Sequence, residues 1–228
     1  MSYLSKVFLV LWACMFLATF TTSLVSSPIP YLIEEFVEVP GDLEKTKGAT
    51  SFGIGIVLAL NSVALIIGSF FGGFVADRIG RKKAIIVAFT VLASSFVVFY
   101  LSQEVMLLFA ASFIEMFGFY LANPSFKALI ADFTPRSSRG TSFGIFNLSW
   151  IISQIPGPVL GGLIADISGL KMPFILSLLM SLIAIVFSIL ISKKKLKLRR
   201  WMKSVETTQR TINQLLLCPS RLFCRCLA

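Results

Sequence analysis

Glu115 is the one charged-type side chain deep inside the largely apolar stretch Val105 to Phe133 of this 228-residue chain, in which Lys127 and Asp132 lie toward the end. Charge in hydrocarbon is costly, so a carboxyl group there is expected to face a cavity or a polar partner and to mark a site. Helical spacing sets Ala111, Glu115, Gly118, Ala122 and Ser125 along one small or polar stripe, with Phe109, Phe113, Phe117 and Leu121 roughly opposite. Glu115 is therefore expected to point inward, where it could exchange a proton or contact a solute; a hydrogen-bonded structural role is the other reading. Thr22, Ser26, Asn61, Asn147 and Gln154 also interrupt apolar stretches. Each can line a cavity or bond between helices.

Other chemistries lack their residues. The chain has no His, and its four cysteines are Cys14, inside an apolar run, and Cys218, Cys224 and Cys226, which form no CxxC pair. Zinc centres and His-based triads therefore lose their usual groups. No nucleophile and base pair or phosphate loop is recognisable, so neither an enzyme nor a bound cofactor or metal is expected.

The elements that must position Glu115 are membrane spans. Hydrophobic residues make up 56% of the chain and charged residues 14%, with a mean hydropathy of +0.87, which a soluble domain with a polar skin does not have. A helical crossing takes about 20 mainly apolar residues. Six fit: Val7 to Ser27, Ser51 to Ala76, Ala84 to Ser102, Val105 to Phe133, Gly140 to Ala165 and Pro173 to Ser192. Pro28 and Pro30 bend or interrupt a first segment that can continue to Phe36. That first run lacks a small-x-small cleavage site and is read as a span rather than a signal peptide. The net charge of +10 follows membrane topology rather than nucleic-acid binding. Of 21 basic residues, only Lys45, Lys47 and Lys171 fall on the side of the acidic loop carrying Glu34, Glu35, Glu38, Asp42 and Glu44. By the positive-inside rule both termini are expected in the cytoplasm.

Three strings recur in order. LIEEF at Leu32 to Phe36 returns as LIADF at Leu129 to Phe133, TSFGI at Thr50 returns unchanged at Thr141, and GGFVADRIGRK at Gly72 returns as GGLIADISGLK at Gly161. The offsets are 97, 91 and 89, so small deletions align two units of three spans. Three is odd, so the units must run in opposite directions through the bilayer. The charges agree with this: Arg78, Arg81 and Lys83 become Ile167, Leu170 and Met172, while Asp166 and Gly169 are kept. Gly72 and Gly73 are expected to let the second span approach a neighbour, Asp77 sets a carboxylate at the membrane edge, and Gly80 permits a tight turn. Arg78, Arg81 and Lys82 are then placed to meet phosphate headgroups or carboxylates.

With these residues in view, the chain resembles the major facilitator superfamily (MFS) from Lys6 to about Ser192, most specifically in GGFVADRIGRKK at Gly72 to Lys83. The resemblance implies an all-α membrane protein whose six transmembrane helices are two inverted three-helix repeats, half of the family's twelve-helix fold. It also implies that Gly73, Asp77, Arg78, Gly80, Arg81 and Lys82 belong to the family's signature loop, and that Asp77 and Arg78 join a charge cluster that latches one end-state of transport, with Asp132 and Arg139 as their partners. GPVLGG, containing Gly157, Pro158, Gly161 and Gly162, resembles a helix-bend motif of the drug and proton antiporter branches. Those relatives carry an Arg four residues before a Gly in the fourth span, where Ile114 stands here, so their coupling machinery is not carried over.

The expectation is a secondary transporter in the cell membrane that moves a small solute, with export coupled to a proton gradient as the finer reading. One six-helix bundle cannot rock against itself. A second copy or a separate chain must supply the other half; the rival readings are an inactive truncated fragment or a non-transporting interaction subunit. Residues 193–228 form a basic tail, either disordered or an interfacial helix with Leu198, Trp201, Val205, Ile212 and Leu216 on one face.

Overall fold

The computed structural model describes residues 3–37, 42–134 and 138–189, which are almost entirely helical and contain no strand. The eight helices are α1 (Tyr3–Ser26), α2 (Pro28–Val37), α3 (Leu43–Ile79), α4 (Arg81–Leu101), α5 (Val105–Phe133), α6 (Arg139–Gln154), α7 (Pro156–Ser168) and α8 (Met172–Ile189). Together they make six segments long and apolar enough to cross a membrane, α1 with α2 forming the first and α6 with α7 the fifth. The basic tail lies outside the described residues.

Prolines decide where the two composite spans break. α1 stops at Ser26 and α2 begins at Pro28, since proline disfavours helical backbone before it and supplies no N–H within it. In the fifth span the break falls at Ile155, before Pro156, and not at Pro158 as the bend motif implied. Pro158 sits in the first turn of α7, where a missing N–H costs nothing, and its carbonyl accepts a hydrogen bond from Ser27 Oγ at 2.8 Å. The acidic loop is also shorter than expected. Glu34 and Glu35 lie on α2, and Glu44, Lys45 and Lys47 lie on α3, whose first turn is capped by the Asp42 side chain accepting from the Lys45 N–H at 3.1 Å. The Lys45 side chain, bonded to the same carboxylate, holds Asp42 below the usual carboxylate range.

The inverted repeat is present in the packing. α5 packs along α3 and α4, while α1 packs along α6 and α7. A Cβ added to Gly72 on α3 would lie 2.6 Å from Leu121 O on α5, and one added to Gly161 on α7 would run into Leu24 O on α1. Gly72 and Gly161 are repeat equivalents. So are Leu121 and Leu24, which share the offset of the LIEEF and LIADF strings. Gly68 against Tyr120 and Gly157 against Ser23 repeat the relation one turn earlier. Such backbone-to-backbone approach is how helices gain dispersion contacts in lipid, where apolar burial alone gives no drive. Gly73, by contrast, has open space around it, so the approach expected of both glycines belongs to Gly72.

The turns repeat as well. Among the described residues, positive φ occurs only at Gly80 (φ 89°) and Gly169 (φ 98°), which are repeat equivalents with ψ of 139° and 152°. This backbone region is essentially reserved for glycine. Gly80→Ala and Gly169→Ala are each expected to destabilise the fold by about 1–3 kcal/mol, read as a lower unfolding midpoint in detergent. The sixth span closes the bundle: the Phe99 and Phe174 rings stack at 4.9 Å, and Ser177 Oγ donates to Thr21 O at 3.2 Å.

Candidate functional site

Two places carry the sequence-derived candidates. The first is the end of the bundle with the Gly80 turn. Arg81, the first residue of α4, pairs with Asp132 near the end of α5 and also donates to Ala128 O at 3.1 Å. Asp132 was expected to partner Asp77 and Arg78; the structure gives it to Arg81 instead. Arg78, on the last turn of α3, lies over the Phe74 ring at 4.4 Å, a cation–π contact, and Asp77 is exposed. Arg139 donates to Ala131 O at 3.1 Å rather than to a carboxylate. Both α3 and α4 pack along α5, so the side of each helix decides: Arg81 reaches α5 from the start of α4, whereas Arg78 is exposed and lies over a ring of its own helix. The Arg81 and Asp132 side chains are 40% and 45% exposed. A double-mutant cycle on Arg81→Ala and Asp132→Ala is therefore expected to give a coupling of about 0.2–1 kcal/mol that shrinks in high salt.

The second place is the core of the bundle. Glu115 is 2% exposed and its Oε1 has no hydrogen-bond partner. It stands on the stripe Ala111, Glu115, Gly118, Ala122 and Ser125, every member of which is buried. A Cβ on Gly118 would come 2.8 Å from Leu92 N, so this stripe is pressed against α4. The opposite face is not turned to lipid throughout: Leu121 is buried beneath Gly72 of α3. Ser125 Oγ, on the same stripe, and Asn61 Oδ1, on α3, also lack partners. An orphaned polar atom in such a setting costs free energy and is a natural place for proton or solute chemistry.

The remaining candidates do not converge on Glu115. The Thr22 and Ser26 hydroxyls donate to Thr19 O and Ser23 O of their own helix, as hydroxyls in apolar helices do. Asn147 and Gln154 are exposed on α6, whose buried positions are Phe146, Ser149 and Ser153. Gly157 and Gly161 meet α1 closely, but Gly162 comes no nearer than Ser27 Oγ at 4.0 Å. No cluster of potential metal ligands occurs among the described residues. The ion pair that helical spacing alone missed, Arg81 with Asp132, needed the packing of α4 on α5 to be known.

The sequence profile of the Major Facilitator Superfamily matches residues 11–222. The chain belongs to that superfamily. Among similar proteins, Multidrug resistance protein 2 of Bacillus subtilis (strain 168) is 30% identical over 145 residues, which are 64% of this chain and 36% of that protein. Quinolone resistance protein NorA of Staphylococcus aureus (strain Mu50 / ATCC 700699) is 27% identical over 147 residues, 64% of this chain and 38% of NorA. The structure of the MFS proton:xylose symporter XylE, bound to 6-bromo-6-deoxy-D-glucose, superposes with a TM-score of 0.70 at 21% identity, covering 84% of this chain and 45% of XylE. The peptide transporter POT in complex with sulfate gives 0.68 at 15% identity, covering 94% and 46%. At these identities the structures speak for the MFS fold alone. The chain spans little more than a third of the two similar proteins and slightly under half of the two solved transporters. It is a multi-pass membrane protein of the MFS with one six-helix bundle described.

Proposed function

We propose that this chain is one half of a secondary active transporter that moves a small solute by alternating access, in a cell membrane, with both termini in the cytoplasm. The observation that carries the reading is the doubled helix contact, Gly72 on Leu121 and Gly161 on Leu24, which supports a bundle of two inverted units, the build of each half in carriers whose two halves rock against one another. A second six-helix body, either another copy or a separate chain, completes the carrier against α3 and the α6–α7 span. Those are the least buried spans of the described bundle and carry Asn147 and Gln154 on exposed positions. The Gly80 end, with Asp77, Arg78, Arg81, Lys82, Asp132 and Arg139, forms the latch of one end-state. Export of a drug or metabolite against protons is the finer reading, supported by the two resistance proteins to which the chain is similar. In it, Glu115 takes up and releases the coupled proton.

The test is solute flux into and out of sealed proteoliposomes holding the purified full-length chain, under an imposed pH gradient, with a panel of labelled drugs and sugars. Gradient-driven flux is the expected result, carried by self-associated chain. A monodisperse, helical sample that moves none of the panel, alone or with a candidate second half, would favour the interaction-subunit reading instead.

A further inference from the structure

The two ends of the bundle are built from equivalent residues but only one end is filled. At the Gly80 end, Arg81 follows the glycine turn and reaches Asp132 and Ala128 O. Transposed through the repeat, Arg81 becomes Leu170, Asp132 becomes Glu35 and Ala128 becomes Tyr31. Leu170 cannot supply the cation, and Glu35 is exposed with no ion pair or hydrogen bond to the described residues. Beside Leu170 and Glu35 the structure has a cleft of about 440 Å³ between α2, the end of α4 and the α7–α8 turn. Glu35, Leu170 and Lys171 line it, together with Leu32 and Tyr100. Lys171, the equivalent of Lys82, is drawn to the end of α4, where its Nζ donates to Ser102 O at 3.1 Å. One carboxylate and one ammonium therefore border a largely apolar cleft at an end of the bundle without forming an ion pair with each other.

We infer that this cleft binds the ammonium-and-phosphate headgroup of an aminophospholipid, the lipid ammonium replacing the missing guanidinium on Glu35 and the phosphate lying toward Lys171. Charge complementarity selects a zwitterion over a simple anion or cation: Glu35 accepts hydrogen bonds from a primary ammonium, and Lys171 retains protons beyond the one given to Ser102. Leu32, Leu170 and Tyr100 supply the apolar wall that a lipid needs and a free amine does not, with the tyrosine suited to the interface. The site needs neither transport nor a second half, so its test stands apart from the functional reading above.

The experiment is native mass spectrometry of the full-length chain in detergent, titrated with phosphatidylethanolamine, with phosphatidylcholine and phosphatidylglycerol as comparison lipids and phosphoethanolamine as a soluble competitor. Phosphatidylethanolamine is expected to be retained about tenfold better than phosphatidylcholine, whose methylated nitrogen cannot donate hydrogen bonds. Glu35→Gln removes the exposed carboxylate conservatively and is expected to erase that preference. Leu170→Arg is expected to erase it too, by rebuilding the pair seen between Arg81 and Asp132 and closing the cleft with the chain's own guanidinium. Because that variant adds an internal ion pair, a folding defect is not the expected reason for lost binding; an unchanged unfolding midpoint in both variants checks this. Equal retention of the two lipids by the unsubstituted chain, or undiminished preference in Leu170→Arg, would overturn the proposal. Displacement of the lipid by millimolar phosphoethanolamine would overturn the lipid as occupant in favour of a soluble zwitterion.

Discussion

Gly161→Ala is expected to lower the stability of the bundle by about 3 kcal/mol, the top of the usual range for overpacking, because the obstacle is the Leu24 carbonyl of α1 and not a side chain that can swing aside. To admit one methyl group, α7 must back away from α1, and the Ser27 Oγ bond to Pro158 O stretches with it. Gly72→Ala meets the equivalent obstacle, Leu121 O at 2.6 Å, and is expected to behave alike. Gly73→Ala and Gly144→Ala are the controls. Both glycines have open space around them, so alanine there is expected to be neutral or to stabilise the helix by up to about 1 kcal/mol. Unfolding midpoints in detergent and the monodisperse fraction on purification are the readouts. Equal effects at Gly161 and Gly73 would show that the close approach of α7 to α1 contributes nothing to the fold.

Glu115→Gln is expected to cut gradient-driven flux at least tenfold while leaving the unfolding midpoint nearly unchanged. Glutamine matches the carboxyl group in shape, suits a fully buried position, and cannot hold and release a proton. Glu115→Ala is the informative companion, since it leaves space against α4 and should cost stability as well. In Glu115→Gln, loss of the response to the pH gradient with retained downhill exchange would place the proton at this residue. Unaltered gradient-driven flux would instead make Glu115 a structural group of the α4–α5 contact.

Much of the fold was legible in the residues because membrane spans announce themselves by length and apolarity, and because the repeat strings survived nearly intact. The GGFVADRIGRK string and its copy located both glycine turns, since a positive φ leaves few substitutes for glycine. What could not be read was which side chain meets which. Helical periodicity puts Glu115 and Gly118 on one face but does not say that α4 covers it, and it cannot tell Gly72, which is pressed on α5, from Gly73, which is not. Asp132 was placed at the right end of the bundle yet given the wrong partners, because the choice between Arg78 and Arg81 depends on the phase of α4 as it leaves the Gly80 turn. The break before Pro156 was displaced to Pro158 for a related reason: two prolines two residues apart satisfy the same local rule, and only the helix that begins at the first shows which one acts. The pairing of α3 with α5 and of α1 with α7 is tertiary, and it is what turns the repeated strings into a two-fold arrangement.

Whether the two copies of the repeated motif reach opposite sides of the membrane decides the inverted arrangement. Single cysteines at exposed positions 77 and 166, in a chain with Cys14, Cys218, Cys224 and Cys226 changed to serine, can be reacted with a membrane-impermeant maleimide in sealed vesicles of known orientation. The inverted repeat predicts that position 166 is labelled from the outside and position 77 only after the vesicles are opened. Labelling of both positions from the same side would contradict the inverted repeat and, with it, the assignment of this bundle as half of a carrier.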